Sequence, residues 1–169
     1  MTDGKEAPSE PSPLELEEKA REVLLRKLSL RPHSRAELEQ ALEAKGVAPD
    51  LTEHLLDRFT EVNLVNDEDF ARQWVASRQR TRGSSRRALR EELRRKGIDR
   101  DLIDDATSAV SSEDELEAAL ELARKKMRTL ASLEPPVQRR RLAGALGRRG
   151  YGYEVVERVL REVLVEGHD

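Results

Sequence analysis

The amino-acid sequence predicts an all-α protein: three tandem three-helix repeats stacked into an elongated, curved molecule. Three observations carry that expectation. Good helix formers (Ala, Leu, Glu, Arg and Lys) dominate, while strand-type alternation of Val, Ile, Thr and aromatic residues is nearly absent. The chain also repeats itself: displaced by 51 residues, positions 20–60 fall on 71–111 without a gap. Finally, a unit of about 50 residues builds a poor core alone, so neighbouring units are expected to stack.

The opening "MTDGKEAPSEPSP" is rich in Pro, Ser and charge and has no apolar period, so residues 1–13 are expected to be a disordered tail. Repeat 1 is placed at 14–66, repeat 2 at 67–112 and repeat 3 at 113–169. In the alignment "SRAELEQALEAKGVAPDL" (34–51) lies over "SRRALREELRRKGIDRDL" (85–102), and "RRRLAGALGRRGYGYEV" (139–155) supplies a third copy. Each repeat begins with an amphipathic helix; in repeat 3 its apolar row is Leu116, Leu120, Ala123, Met127 and Leu130. A short second helix carries two leucines four apart: Leu38 and Leu42, Leu89 and Leu93, Leu142 and Leu146. Ser34 with Glu37 predicts a capping box at its start in repeat 1, which Ala88 breaks in repeat 2. Gly46, Gly97 and Gly150 then sit where a left-handed C-cap needs a residue without Cβ. Asp50 and Asp101 are expected to cap the third helices, which bury Leu51, Leu55 and Phe59, then Leu102, Ala106 and Val110, then Val155, Val159 and Val163.

Charged residues make up 38% of the 169 and aromatics 3%, with a net charge of −3 and a mean hydropathy of −0.74. The charge is unevenly spread. Residues 1–71 hold 17 acids and 9 bases, residues 72–100 hold 3 acids and 11 bases, and residues 101–169 hold 14 acids and 11 bases. A segment at +8 between acidic flanks implies a local anionic partner, unless the flanks neutralise it within the fold. There is no cysteine, hence no disulfide framework and no thiol nucleophile. No apolar run reaches transmembrane length and no signal-peptide core precedes the first helix, so a soluble cytoplasmic protein without membrane contact is expected.

Nothing in the sequence assembles into catalytic chemistry. His33, His54 and His168 lack metal-ligand spacing, and no glycine loop ends in the Lys-Ser or Lys-Thr of a phosphate cradle. The acids Asp67, Glu68 and Asp69 suit a helix start, where the dipole favours them. The sequence therefore implies neither enzyme, metal site nor cofactor.

The stretch "DEDFARQWVASRQRTRGSSRR" (67–87) is the most informative. Phe70 and Trp74 lie one turn apart, and the repeat aligns Ala71, Trp74 and Val75 with Ala20, Val23 and Leu24. Trp74 is thus read chiefly as core of repeat 2, with a base-stacking platform and a partner contact as the alternatives. The arginines differ. Arg78, Arg80 and Arg82 close the first helix; Arg86, Arg87, Arg90, Arg94 and Arg95 lie on the second, beside the inward Leu89 and Leu93. In repeat 1 the aligned positions of Arg86, Arg87, Arg90 and Arg94 are Arg35, Ala36, Glu39 and Glu43, so the scaffold alone does not demand the basic set. These eight arginines are the expected partner-binding face, with a solvated face as the alternative. Arg139, Arg140, Arg141, Arg148 and Arg149 offer its continuation in repeat 3.

These segments resemble the RecX family, bacterial regulators of the RecA recombinase. The resemblance rests on "SRAELEQALEAKGV" (34–47), "VNDEDFARQWVASR" (65–78) and "GSSRRALREELRRKGI" (83–98). Its helix start is Asp67, Glu68, Phe70 and Ala71, its aromatic and arginine are Trp74 and Arg78, and its glycine before the basic helix is Gly83. The resemblance implies a modulator lying in the groove of the RecA–single-stranded DNA filament. Such a protein inhibits filament extension, ATP hydrolysis and strand exchange, and thereby modulates DNA repair and the SOS response. A monomer is expected because the sequence has no long heptads that would demand a dimer. The rival reading is a stand-alone DNA-binding helical repeat protein acting through repeat 2.

Overall fold

Ser12 starts the first helix by a reciprocal cap. Its hydroxyl accepts from the Glu15 amide while the Glu15 carboxylate accepts from the Ser12 amide. The computed structural model describes residues 10–166. The rest of the expected tail and His168 lie outside the described residues. Every regular element among those residues is helical: α1 (Pro13–Leu30), α2 (Arg35–Glu43), α3 (Pro49–Glu61), α4 (Asp67–Arg82), α5 (Arg86–Arg95), α6 (Arg100–Ser108), α7 (Ser112–Leu130), α8 (Pro135–Arg148) and α9 (Tyr153–Glu166). They fall into two compact units that divide between Asn66 and Asp67.

The first unit is one trio of helices. Leu24 of α1, Leu38 and Leu42 of α2, and Leu55, Leu56 and Phe59 of α3 form its core, closed by Val65. The Ser34–Glu37 capping box expected at α2 is present. Asp50, however, caps nothing. Pro49 occupies the first helical position and Ala48 the N-cap, with no side-chain bond, so Asp50 is left in the first turn as a dipole partner. His33 is buried beside this unit's α2, with its Nδ1 2.9 Å from the Arg31 carbonyl, and burial holds its pKa below the usual histidine value. His54 is exposed on α3.

The second unit contains two trios. In α4–α6 the core is Phe70, Ala71 and Val75 against Leu89 and Leu93, with Ile98, Ile103, Ala106 and Val110 beneath. Fully burying a leucine such as Leu89 or Leu93, both at zero exposure, contributes about 1.5–3 kcal/mol. Asp99, not Asp101, is the N-cap of α6; its carboxylate accepts from the Asp101 amide at 3.0 Å. In α7–α9 the buried set is Ala119, Ala123 and Leu130 with Leu142, Leu146, Val156, Val159, Leu160 and Val163. The α7 residues Leu116, Leu120 and Met127 and the third-helix residues Leu51, Leu102 and Val155 lie at the margins of their cores, half-buried.

The three predicted C-cap glycines have φ of +74° (Gly46), +71° (Gly97) and +85° (Gly150). After each, the next amide donates back five residues: Val47 to Leu42, Ile98 to Leu93 and Tyr151 to Leu146. That bond ends the helix and turns the chain toward the third helix of the trio.

Candidate functional site

Three contacts within the second unit fasten the turn that precedes the basic helix α5 onto the third trio. Gly83 leaves α4 with φ +55°, and its carbonyl accepts from the Tyr151 hydroxyl at 2.5 Å. The amide of Ser85, the N-cap of α5, donates to the Arg149 carbonyl at 3.1 Å. The next amide, that of Arg86, donates to the Glu115 carboxylate of α7 at 2.9 Å. Burial and the charge of Glu115 push the Tyr151 phenol up to about 12. It therefore stays a neutral donor to Gly83. The close approach also requires that residue 150 lack a Cβ: one built there would meet Ser85 Oγ at 2.5 Å and Ala88 Cβ at 2.9 Å.

Trp74 takes an intermediate position. It is half-buried, not fully enclosed, and stacks on Phe70 with ring centroids 5.8 Å apart. The Arg78 guanidinium lies 4.3 Å from the ring centroid and Lys96 Nζ 5.1 Å from it. The indole Nε1 donates to Glu92 at 2.7 Å, and Arg78 Nε is 3.3 Å from the same carboxylate oxygen. With Phe70, Arg78 and Lys96 against its ring and Glu92 on its Nε1, Trp74 ties α4 to α5.

The eight arginines of repeat 2 separate into two groups. Four are engaged within the fold. Arg78 is held by Trp74 and Glu92; Arg86 donates to the Val110 carbonyl at the end of α6. Arg90 pairs with Asp104 at 2.5 Å and reaches Thr107 at 3.2 Å. Arg94 pairs with Glu91 on its own helix. Arg86 and Arg90 thus brace α5 against α6, a role that helical periodicity alone did not show. Arg80, Arg82, Arg87 and Arg95 are exposed, and among the described residues none of them has an ion-pair partner. In repeat 3, Arg139 pairs with Glu157 at 2.6 Å, Arg140, Arg141 and Arg148 are exposed, and Arg149 is half-buried.

Arg80, Arg82 and Arg149 meet in one groove of about 380 Å³ between the end of α4 and the side of α7. Lys125 and Lys126 complete its cationic lining, and Glu121 is its one acid. The two lysines were not among the expected site residues. Their signal was the run "ARKKMR" (123–128), whose cations lie beside the apolar row of α7. No group of three or more His, Cys, Asp or Glu among the described residues could hold a metal ion. No helix among them is long and apolar enough to cross a membrane.

Comparison with known proteins places this architecture. Residues 20–59, 66–106 and 113–160 match the first, second and third three-helix domains of RecX. The regulatory protein RecX of Streptomyces coelicolor is 43% identical over 149 residues, covering 88% of this chain and 79% of that protein. Its counterpart in Amycolatopsis mediterranei is 41% identical over 163 residues, covering 94% and 93%. The one in Mycobacterium avium is 43% identical over 161 residues, covering 94% and 91%. The crystal structure of RecX from Lactobacillus salivarius has a TM-score of 0.76 at 20% identity, over 89% of this chain and 97% of that one. A likeness at that identity speaks for the fold. Three matched domains and relatives above 40% identity over nearly the whole chain speak for more: the chain belongs to the RecX family of regulatory proteins.

Proposed function

We propose that this protein binds the RecA–single-stranded DNA filament and inhibits ATP hydrolysis, filament extension and strand exchange, and so tunes DNA repair and the SOS response. It acts as a cytoplasmic monomer, without catalysis of its own. The observation that carries the reading is the exposed basic surface of α5 and the end of α4. There Arg87 and Arg95, with Arg80 and Arg82, project from a RecX-type scaffold without internal acceptors among the described residues. Arginines left unpaired by the fold are available for carboxylates or phosphates of a partner. Their charge also speeds encounter with an acidic surface.

The test is RecA's DNA-dependent ATPase, titrated with the Arg87→Glu/Arg95→Glu protein. Both side chains are exposed, so the fold should stand, and the half-inhibitory concentration should rise about tenfold or more, a loss of at least about 1.4 kcal/mol. Unchanged inhibition removes this face from the interface. Reversing Arg86 and Arg90 is a poorer probe, because both brace α6. Cosedimentation with RecA-coated and bare single strands separates the filament reading from the stand-alone DNA-binding one. The filament reading expects much the stronger retention on coated strands.

A further inference from the structure

We infer that the groove between the end of α4 and the side of α7 is a binding site for the phosphodiester backbone of single-stranded DNA. The inference deepens the regulator reading by naming the nucleic-acid half of its partner. Along α7 the groove follows one face from Ala118 to Thr129, about 16 Å at the rise of a helix. Five cations line it: Arg80 and Arg82 from α4, Lys125 and Lys126 from α7, and Arg149 from the turn after α8. Among the described residues none of the five has an ion-pair partner. Glu121 opposes them alone. Elsewhere in the unit Arg78, Arg90, Arg94 and Arg139 are matched to acids, while the unpaired Arg87 and Arg95 lie outside the groove.

The walls are held before any ligand arrives. Gly83 is fixed by Tyr151, Ser85 by the Arg149 carbonyl, and a Cβ at Gly83 would stand 3.4 Å from the Ala118 carbonyl. The groove therefore closes where α4 meets α7 and opens away from that point. Cations set along one helix face in this way suit the backbone of a single strand. The lining also separates nucleic acid from protein as the occupant. It offers cations and the Gln79 amide but no aromatic anchor, and Trp74 is flanked by its own neighbours. A hot spot for a protein is enriched in Trp and Tyr as well as Arg, and of these the groove has only arginines. Phosphate contacts need only cations and amides, and they do not read sequence.

The probe is a fluorescent oligothymidylate of about 20 nucleotides, long enough to span such a site. Its anisotropy is followed without recombinase between roughly 50 and 200 mM salt. Five contacts give a slope of log affinity on log salt near about −3.5, and the Lys125→Ala/Lys126→Ala protein should fall to about −2.1 and bind about tenfold or more weakly at low salt. Circular dichroism of that protein should be unchanged, since both lysines are exposed. The pair Arg100→Ala/Arg158→Ala removes two exposed cations outside the groove and should retain affinity and slope. Four results would overturn the assignment: an unaltered slope in the lysine variant, an equal loss in the control pair, tighter binding of a duplex of the same length, or equally tight binding of polyglutamate. The last would give the groove to an acidic protein surface. Because RecA is absent, failure here leaves the ATPase test above intact, and failure there leaves this one intact.

Discussion

Two left-handed glycines in this chain should respond very differently to the same substitution. Gly46 has φ +74° and nothing within 4 Å of an added Cβ; Gly150 has φ +85° and would drive its Cβ to 2.5 Å from Ser85 Oγ and 2.9 Å from Ala88 Cβ. Placing alanine in a left-handed conformation costs about 1–2 kcal/mol, of which the stiffer unfolded chain returns about 0.4–1 kcal/mol. Gly46→Ala should therefore lose only about 1 kcal/mol. Gly150→Ala carries the same strain and also displaces Ser85, whose hydroxyl caps α5 by accepting from Ala88. A lost N-cap costs about 1 kcal/mol, and the shift also pulls the Ser85 amide from the Arg149 carbonyl, worth about 1 kcal/mol more. The expected total is about 3 kcal/mol. Urea unfolding suits the comparison, followed by Trp74 fluorescence for the second unit and by circular dichroism for the summed helicity of both. A thermal scan of Gly150→Ala, read by Trp74 fluorescence, should show a midpoint lower by roughly 12–24 °C. Equal losses at the two glycines would refute the claim that a close contact, beyond backbone strain, fixes the residue at 150.

The carboxylate of Glu92 serves both Trp74 Nε1 and Arg78 Nε, so Glu92→Ala should destabilise the second unit by about 1–3 kcal/mol and shift tryptophan emission to the red. Glu92→Gln, which keeps an acceptor, should lose less, and unchanged emission in both variants would deny Glu92 its role. Tyr151 makes the fold sensitive to alkali. Its phenol titrates near 12 when folded, against 10.0 ordinarily. The stability tied to its neutral form is thus fully present below pH 10 and is lost as the pH rises to about 12. Tyr151→Phe should flatten that part of the stability profile, and an unaltered profile would show that other groups cause the loss.

Much of the fold was legible because it is written in local periods. The leucine pairs four apart and the glycines after them are properties of a single helix and its end, and each was found where the pattern put it. The caps were harder. Asp50 and Asp101 occupy equivalent places, yet Pro49 takes the helix start in one trio and Asp99 takes the cap in the other. A cap is decided by one backbone torsion, and a period of 3.6 residues does not resolve a shift of two. The candidate site was legible only as a charge excess. Helical spacing set Arg86 and Arg90 beside the leucines, but a long guanidinium goes where its acceptor lies, and those acceptors are Thr107 and Asp104 on α6 and Val110 just beyond its end. Lys125 and Lys126 join Arg80 and Arg82 only through the packing of α7 on the turn at Gly83.

The broken capping box of repeat 2 shows how that packing is specified. In repeat 1 the N-cap amide of Ser34 is met locally, by Glu37 three residues on. In repeat 2 the third position is Ala88, and the Ser85 amide is met by the Arg149 carbonyl, 64 residues away in sequence. A carboxylate does attend the helix start, but it is Glu115 of α7, bound to the Arg86 amide. Ala88 is small for the reason that residue 150 is glycine: the two lie against each other. What reads in the sequence as a defect of one helix is therefore the contact surface of two repeats. The turn that carries Arg82 and the turn that carries Arg149 are fixed by the same bonds, so the cations of the groove keep their spacing only while the second and third trios stay docked. Repeat 3 then serves the basic surface twice, by supplying Lys125, Lys126 and Arg149 and by holding in place the arginines it does not own.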